Sequence, residues 1–411
     1  MRRWSLLHNR DYMLLWGGEL LSELGSQSSA VAYPLLILAL TGSASRAGVV
    51  GLAKWLPLAV FAIPAGALAD RVDRKRLMIA CDAIRMTGAA SIVVMLVVST
   101  PSYAQILAVA FVDGALFTTS YVCERGALRH VVPADQVQNA VAQNDARLFA
   151  ANIAGPPLGG ALFAGARSLP FIADTASFLC STTMILLTRS PFQAASPAAR
   201  PTPRGWRSDV GDGFAWLWRN PFFRLTSLLF ALGNPIYTGL YLLAILVARQ
   251  HGASAATVGV MLGIIGVGGV SGAVCAGAIR RAASARGIIL ASEWLLLALV
   301  LALLLVTNAL WIGLLIAAAE FLTPAVNSVV AGARVAAAPD HLQGRVQAAA
   351  TMSSMALGWL GPLAVGISFE QTGATVTTLI LAGWTLLPVT VATLGPSLRH
   401  GPPDPLAAVR P

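Results

Sequence analysis

Four acidic residues lie within long apolar stretches of the sequence, where a charged side chain calls for a functional reason. Asp113 and Glu320 lie about halfway along two of these stretches, while Glu19 and Glu23 lie four residues apart near the start of the chain. That spacing places Glu19 and Glu23 on one face of a helix. Carboxyl groups in such surroundings can bind and release protons or hold a cationic ligand. All four are therefore candidate proton-coupling residues, and a structural, hydrogen-bonded role is the alternative for each.

These acids belong to a chain that is too apolar for a soluble fold. Of its 411 residues, 56% are hydrophobic and 11% are charged, whereas soluble domains carry about a quarter charged residues. A helix needs about 20 residues to cross the hydrocarbon of a bilayer. The sequence therefore predicts an all-α membrane protein with twelve transmembrane helices: Asp11–Leu40, Ala47–Ala69, Leu77–Ser99, Tyr103–Val122, Ala140–Ala164, Ser168–Thr188, Pro221–Ala248, Thr257–Ile279, Ile288–Val306, Leu310–Ala331, Val346–Ile367 and Ala374–Leu394.

The positive charges are confined to the connections between these segments. The net charge is +10, but arginines crowd into short loops such as residues 71–76 and 280–286 and are sparse within the apolar runs. This is the positive-inside pattern of membrane proteins rather than a basic groove for nucleic acid. It predicts a multi-pass protein of a bacterial inner membrane with both termini in the cytoplasm and without a nucleic-acid partner. We also expect a monomer.

The sequence contains no pattern typical of an enzyme or of a metal site. Neither lysine, Lys54 or Lys75, has the glycine-rich context of a nucleotide-binding loop. The histidines lie in loops or at segment ends, and the four cysteines form no paired motif, so we expect them to pack as small apolar residues. We predict no catalytic activity, no metal and no cofactor.

Several further charges lie in or beside the predicted spans. Lys54 could pair with one of the acids, but we expect it to extend toward the outer membrane surface. Asp82 and Arg85 are one helical turn apart and are predicted to form a local pair. The others rank lower as coupling residues: Asp145 and Arg147 near an inner gate, Asp174 near the outer end of the sixth span, and Glu293 in the ninth.

Similar short motifs recur in order in the two halves of the chain. Gly66-Ala67 matches Gly277-Ala278, and Gly155-Pro156 matches Gly361-Pro362 at nearly the same offset. This predicts two six-helix pseudo-repeats with the substrate site between them, near the membrane midplane. The predicted domains are an N-terminal bundle (1–190), a cytoplasmic linker (191–220), a C-terminal bundle (221–398) and a cytoplasmic tail (399–411).

The linker has two parts of different composition. Residues 194–204 are rich in proline and alanine, which is typical of a flexible segment. After them, Val210, Phe214, Leu217 and Trp218 have the spacing of one helix face. This favours a short helix on the inner leaflet, with a loop packed on the bundle as the alternative.

The loop after the second span carries the most specific motif. Residues 66–76 read GALADRVDRKR, with a glycine, an Asp-Arg pair and a basic cluster. This resembles motif A of the major facilitator superfamily, and the fold it implies is the twelve-helix major facilitator fold. Gly66 is expected to permit close helix approach and Asp70 to face a helix N-terminus or an arginine. The resemblance implies a conformational latch of Gly66, Asp70, Arg71, Arg74 and Lys75, with Asp73 replacing the glycine that many members carry.

The fifth span carries a second motif, Gly155-Pro156-Pro157-Leu158-Gly159-Gly160. It resembles motif C, the antiporter motif of drug–proton exporters, although Ala151 replaces an upstream glycine. Glycine permits tight helix contact and proline permits bending, so a packing role is the alternative. The residues implied by the resemblance are Gly155, Pro156, Gly159 and Gly160.

Residues 128–140 and 171–179 resemble the siderophore-exporter and macrolide-efflux branch of the superfamily. This implies proton-driven efflux of a small amphipathic compound, such as an antibiotic or a siderophore, by alternating access. Lysophospholipid flipping, proton-coupled uptake and a transport-dead sensor or assembly partner are the alternatives. The superfamily fold also implies a set of residues on the cavity wall: Tyr33, Trp55, Tyr121, Asn152, Asn234, Tyr237, Tyr241, Asn327 and Trp359.

Overall fold

The computed structural model describes residues 6–193, 203–339 and 342–398. Within these ranges the chain is almost entirely helical and contains no β-strand. In lipid, helices are favoured because every backbone polar group is satisfied within the segment. The helices are α1 (Arg10–Thr41), α2 (Ala44–Arg71), α3 (Arg74–Val98), α4 (Tyr103–Val131), α5 (Val137–Gly165), α6 (Leu169–Leu187), α7 (Pro203–Arg219), α8 (Pro221–Gln250), α9 (Ala255–Ala282), α10 (Ala285–Ala302), α11 (Ala309–Ala337), α12 (Gln343–Met355) and α13 (Leu360–Leu394).

Ten helical segments of the described chain are long and apolar enough to span a membrane. They include every predicted span except Ala47–Ala69, which corresponds to α2. The last of the ten, Arg345–Leu394, covers two predicted spans. Within it, Gly373 has φ 80° and ψ 179°. This backbone conformation is not helical and therefore interrupts α13, and glycine adopts it readily because it has no Cβ.

The predicted helix Val346–Ile367 is wrong in one respect, because it is not continuous. It is divided into α12 and the first part of α13 by a turn at residues 356–359. Pro362 lies in the first turn of α13, where its missing N–H breaks no helical hydrogen bond. Gly361 packs directly on the backbone oxygen of Pro235 in α8, so the restart of the helix is also a close helix contact.

The described chain divides into two compact units. The first comprises Met1–Arg200 together with Ala253–Gly263. Its α1 packs on α6, α5 and α2, while α4 packs on α2 and α3. Polar caps begin these helices: the Asn9 side chain accepts from the Tyr12 backbone N–H, and that of Ser102 accepts from Gln105.

The second unit comprises Pro201–Gly252 and Ile264–Pro411. In it, α8 packs on α13, α12 and α11, and α10 packs on α13 and α11. The linker segment Pro203–Arg219 is helical and packs on α12. Leu217 is buried there, and the ring of Trp216 stacks on Phe223 at 5.1 Å between centroids.

Candidate functional site

The first unit contains a buried ion cluster centred on Asp113 of α4. Asp113 Oδ1 accepts a hydrogen bond from Arg85 Nε of α3 at 2.8 Å, and Oδ2 lies 3.4 Å from Lys54 Nζ of α2. The neighbouring Gly114 makes this approach possible, because a side chain there would collide with the backbone oxygen of Lys54. Asp113 is 7% exposed and is paired with two cations.

Two expectations about this cluster are wrong. Lys54 does not extend toward a membrane surface; besides facing Asp113, its Nζ lies 5.1 Å from the ring centroid of Tyr33. Arg85 donates to Asp113 rather than to its helix neighbour Asp82, which accepts from Ser181 of α6 at 2.7 Å. Both side chains therefore make their hydrogen bonds to other helices rather than along α3.

Arg85 connects this cluster to α1 and α6. Its Nη2 donates to Ser26 Oγ at 2.9 Å, and its guanidinium lies 4.3 Å from the ring centroid of Phe178. Ser26 Oγ is also 3.5 Å from Asp174 Oδ1. Asp174, 3% exposed, therefore belongs to the cluster, although the sequence analysis ranked it low. The available signal was Arg85 itself, since an arginine inside a span requires acidic partners from other helices.

A cavity of about 290 Å³ adjoins this cluster. Its floor includes Tyr33, Arg85, Asp113 and Asp174, and its remaining walls come from α3 and α4. Tyr33 is the predicted cavity residue that the structure places there; its ring packs edge-on against Phe171 at 5.3 Å.

A second buried ion pair lies between α4 and α5. Arg147 Nη2 donates to Glu124 Oε2 at 3.0 Å, and Nη1 lies 2.8 Å from Oε1. Asn144 Nδ2 donates to Glu124 Oε1 at 2.7 Å. The sequence analysis did not identify Glu124. The pattern that could have indicated it is the spacing of Asn144 and Arg147, which places both on one face of α5.

The two glutamates of α1 have no ion-pair partner in direct contact among the described residues, although the charges of Arg85, Arg147 and Glu124 act on both. Glu23 is buried and accepts from Gln27 Nε2 at 2.9 Å, one turn along the same helix. Glu19 is half-buried, and no ion pair or hydrogen bond of its side chain is found among the described residues. Their predicted shared face is consistent with the helix, but neither joins the Asp113 cluster through a direct contact.

In the second unit, Glu320 of α11 has hydroxyl groups for neighbours. Tyr241 Oη lies 3.5 Å from Glu320 Oε1, a long hydrogen bond, and Tyr237 Oη lies 3.2 Å from Thr323 Oγ1. In the part of the chain that the structure describes, no lysine or arginine pairs with Glu320. Glu293 of α10 also lacks such a partner there, and its Oε2 is buried without a hydrogen bond.

The loop motif places its basic residues against helix ends. Arg74 is buried and donates to the backbone oxygens of Ala69 at 3.2 Å and Gly126 at 3.1 Å. Lys75 Nζ donates to the oxygen of Thr188 at 2.6 Å, beyond the end of α6. Arg71 is exposed, and Asp73 caps α3 by accepting from the Arg76 backbone N–H at 2.8 Å.

Two further expectations concern the same motif. Gly66 does not serve a close helix contact, because an added Cβ would meet nothing within 4 Å. The side chain of Asp70 is not among those that the structure describes, so its expected contact with a helix N-terminus or an arginine stays a prediction.

The glycines of α5 form close backbone contacts. A side chain at Gly155 would collide with Gln27 of α1, and one at Gly159 with the backbone oxygen of Ser28. Ser28 Oγ donates to the oxygen of Gly155 at 3.2 Å, which joins the two backbones. Gly160 and Pro156 contact Gly259, which belongs to the same compact unit.

The other predicted cavity residues do not share one environment. Asn234 Nδ2 donates to the oxygen of Ser354 at 2.6 Å, and Trp359 Nε1 to that of Ala356 at 2.9 Å. Tyr121 lies under the guanidinium of Arg125 at 4.9 Å. Tyr237 and Tyr241 face α11 as described above. Three are exposed: Trp55, Asn152 and Asn327.

No group of three or more His, Cys, Asp or Glu residues in the described ranges is arranged to hold a metal ion.

The fold is that of transporters of the major facilitator type. The chain matches a solved bacterial homologue of the human lysosomal transporter Spinster with a TM-score of 0.75 and 15% identity, covering 97% of this chain and 99% of that one. It also matches the nucleoside transporter NupG with a TM-score of 0.75 and 11% identity, over 93% and 98% of the two chains. These likenesses concern the fold.

The family follows from the sequence comparison. The family model described as transmembrane secretion effector matches residues 1–407, and the chain belongs to this family. The chain is 22% identical to the multidrug efflux pump Tap of Mycolicibacterium fortuitum over 94% of its own length and 96% of that protein. It is 27% identical to Tap of Mycobacterium bovis, but spans about half the length of that protein (49%).

Proposed function

We propose that this membrane transporter couples the inward movement of protons to the export of small amphipathic compounds. The observation that carries the proposal is the environment of Glu320. Its carboxyl lies about halfway along α11, contacts Tyr241 at 3.5 Å and has no basic partner in the described ranges.

An unpaired carboxylate in such surroundings is costly unless it binds a proton or a cation. If this carboxyl binds either a proton or a cationic substrate, but never both at once, it couples the movement of the proton to that of the substrate. The proton then enters as the substrate leaves, and the proton gradient supplies the energy without a cofactor. Alternating access presents this group to each side of the membrane in turn.

The geometry supports a different role for Asp113 from the one the sequence suggested. The sequence analysis gave Asp113 and Glu320 the same role, as candidate proton-coupling residues about halfway along two spans. Asp113 is already balanced by Arg85 and Lys54. We propose that Glu320 carries the proton and that Asp113 is the counter-ion holding α2, α3 and α4 together. Glu19 and Glu23 stay predicted coupling residues.

Export as the direction is supported by family membership and by the Tap relatives, which are named multidrug efflux pumps. The glycine contacts of α5 agree with an antiporter-like motif, since they bring α1 and α5 into backbone contact. The basic residues Arg71, Arg74 and Lys75 are proposed to act as the conformational latch.

We further propose twelve spans in two six-helix repeats, with both termini in the cytoplasm of a bacterial cell. α2 supplies one span beyond the ten apolar segments, and the break at Gly373 divides the last segment into two. The bounds 1–190, 191–220, 221–398 and 399–411 and a monomeric state belong to the same proposal.

The test uses inside-out vesicles with an acidified lumen and a luminal pH dye. Adding a substrate to wild-type vesicles should make the lumen more alkaline, because each exported molecule is exchanged for protons. The panel should include cationic antibiotics, dyes, siderophores and lysophospholipids. Vesicles containing Glu320→Gln should not respond, although the protein is present and folded.

Asp145→Asn is the matched control, because Asp145 is a half-exposed acid paired with Arg125. It removes the same charge and should leave the response intact. If Glu320→Gln vesicles responded at the wild-type rate to the same compound, Glu320 would not be the coupling residue.

Movement of lysophospholipids is a second candidate function, favoured by one observation. The cavity in the first unit is lined in part by exposed residues of α3 and α4, so it opens on an outer face of the protein. A vesicle response confined to lysophospholipids would favour this candidate over drug export.

A further inference from the structure

The cavity between α3 and α4 combines a charged floor with an apolar rim. The floor carries Arg85, Asp113 and Asp174, all buried, whereas Ile84 and Val112 at the rim are 48% and 40% exposed. Both helices are among the segments long and apolar enough to span a membrane. An opening between them on exposed apolar side chains therefore faces the lipid rather than water.

The carboxyl groups at the floor and beside it differ in their hydrogen-bond and ion-pair partners. Both basic groups of the cluster form ion pairs with Asp113: Arg85 Nε lies 2.8 Å from Oδ1 and Lys54 Nζ lies 3.4 Å from Oδ2. Asp82 faces Ser181. Asp174 has hydroxyl neighbours, Ser26 at 3.5 Å and Ser29.

Three carboxyl groups thus share two cations. No basic side chain lies within ion-pair distance of Asp174 in the described ranges, so its carboxylate can attract a positively charged group by charge alone. Unlike Asp82, it lines the cavity and can be reached from the rim.

The aromatic groups near the floor suit the same kind of ligand. Tyr33 lines the cavity, and its ring already faces the Lys54 ammonium at 5.1 Å. Aromatic faces attract cations, most strongly where water is excluded. The rim side chains would contact a hydrocarbon chain, as they contact lipid.

We propose that this cavity is a membrane-facing binding site for the cationic head group of an amphipathic molecule, with Asp174 as its counter-charge. The head group occupies the cavity while the hydrocarbon chain lies along α3 and α4 in the lipid. The site is in the other unit from Glu320 and does not depend on proton coupling. It rests on the proposed function only in taking its ligand from the same class of compounds.

The volume agrees with this assignment. A cavity of about 290 Å³ lies at the lower limit of ligand pockets, about 300 Å³, and holds a small head group such as trimethylammonium. Gly88 preserves part of this space, because a Cβ there would lie 3.2 Å from Val109 Cγ1.

The experiment measures equilibrium binding of radiolabelled dodecyltrimethylammonium to the purified full-length protein in a neutral detergent. Saturable binding to the wild type is expected. Unlabelled dodecyltrimethylammonium should compete, whereas tetramethylammonium (the head alone) and dodecanol (the chain alone) should compete far less. Asp174→Asn should weaken binding by about tenfold or more, because the charge attraction between the carboxylate and the quaternary ammonium is lost.

Ala108→Trp changes an exposed position at the rim and leaves the floor residues in place, so it should weaken binding by blocking the rim. Glu320→Gln should bind the probe as the wild type does, even where it abolishes proton exchange in vesicles. The two proposals can therefore fail separately.

No saturable binding to the wild type would overturn the proposal. So would wild-type affinity in either folded Asp174→Asn or folded Ala108→Trp, or equal competition by dodecanol.

Discussion

Asp113 and Glu124 of the first unit have basic partners, whereas Glu320 and Glu293 of the second unit have none in the described ranges. In the first unit, Asp113 and Glu124 each face at least one basic group within 3.0 Å, contributed by another helix. In the second unit, Glu320 faces the hydroxyl of Tyr241, and Glu293 Oε2 is buried without a hydrogen bond. A buried charge that is paired stabilises a unique packing of helices, whereas an unpaired acid is available to bind something else.

This difference predicts where stability resides and where coupling resides. The first unit should lose stability when one partner of a buried ion pair is removed. The second should keep its fold and lose its function. Four predictions test the comparison, beginning with the largest expected effect.

Arg85→Met should destabilise the protein most. It leaves Asp113 with only Lys54 at 3.4 Å and removes the hydrogen bond to Ser26. Removing one partner of a buried ion pair costs about 3–5 kcal/mol. The check is the apparent melting temperature of the detergent-solubilised protein, followed by fluorescence-detected size-exclusion chromatography.

The double variant Arg85→Met, Asp113→Leu provides the control, because it removes the acid together with its partner. It should melt at a higher temperature than Arg85→Met alone. Equal melting of the single variant and the wild type would mean that the cluster does not stabilise the first unit.

Asp113→Asn and Glu320→Gln should separate stability from coupling. Asp113→Asn leaves Arg85 and Lys54 without their charged partner, so its melting temperature should fall. Glu320→Gln retains a hydrogen-bonding group beside Tyr241 and should change the free energy of unfolding by less than about 1 kcal/mol. Melting curves and vesicle transport, measured on the same preparations, provide the comparison. Identical behaviour of the two variants in both assays would remove the distinction between the units.

Gly159→Ala tests whether the first unit is sensitive to packing as well as to charge. The new methyl group would collide with the Ser28 backbone, which cannot move away cheaply, so a loss of about 1–3 kcal/mol is expected. Gly66→Ala is the matched control: it lies in open space and should be neutral or slightly stabilising, since alanine favours helix. Thermal melting ranks the two, and a larger loss for Gly66→Ala would contradict the packing described for α2.

Exposed ion pairs should have the smallest effect, and the same effect in both units. Arg125 and Asp145 are 2.9 Å apart in the first unit, and Arg345 and Asp212 are 3.1 Å apart in the second. Exposed pairs contribute about 0–1 kcal/mol. Asp145→Asn and Asp212→Asn should therefore melt near the wild-type temperature. A large loss from either would show that exposure is a poor guide to charge energetics in this protein.

Most of the helices could be predicted because lipid imposes a strong rule on sequence. The length of the apolar runs predicted twelve spans, and the ten apolar segments of the described chain cover all of them except Ala47–Ala69. The break between α12 and α13 was not predicted, since residues 356–359 are as apolar as the helices beside them. Gly66 was also misassigned, because composition does not reveal which face of α2 meets a neighbour.

The sequence by itself determined the class of protein, its helices and which ionisable residues lie inside them. Those properties depend on local composition, and a bilayer penalises exceptions strongly. Only the tertiary structure decided which charges meet. Arg85 contacts Asp113 rather than Asp82, and Lys54 lies beside Asp113 instead of extending toward the membrane surface. Asp174 lies with Arg85 and Asp113 at the floor of a cavity. Each of these outcomes depends on the relative rotation of helices distant in sequence, which is set by the packing of small side chains between them.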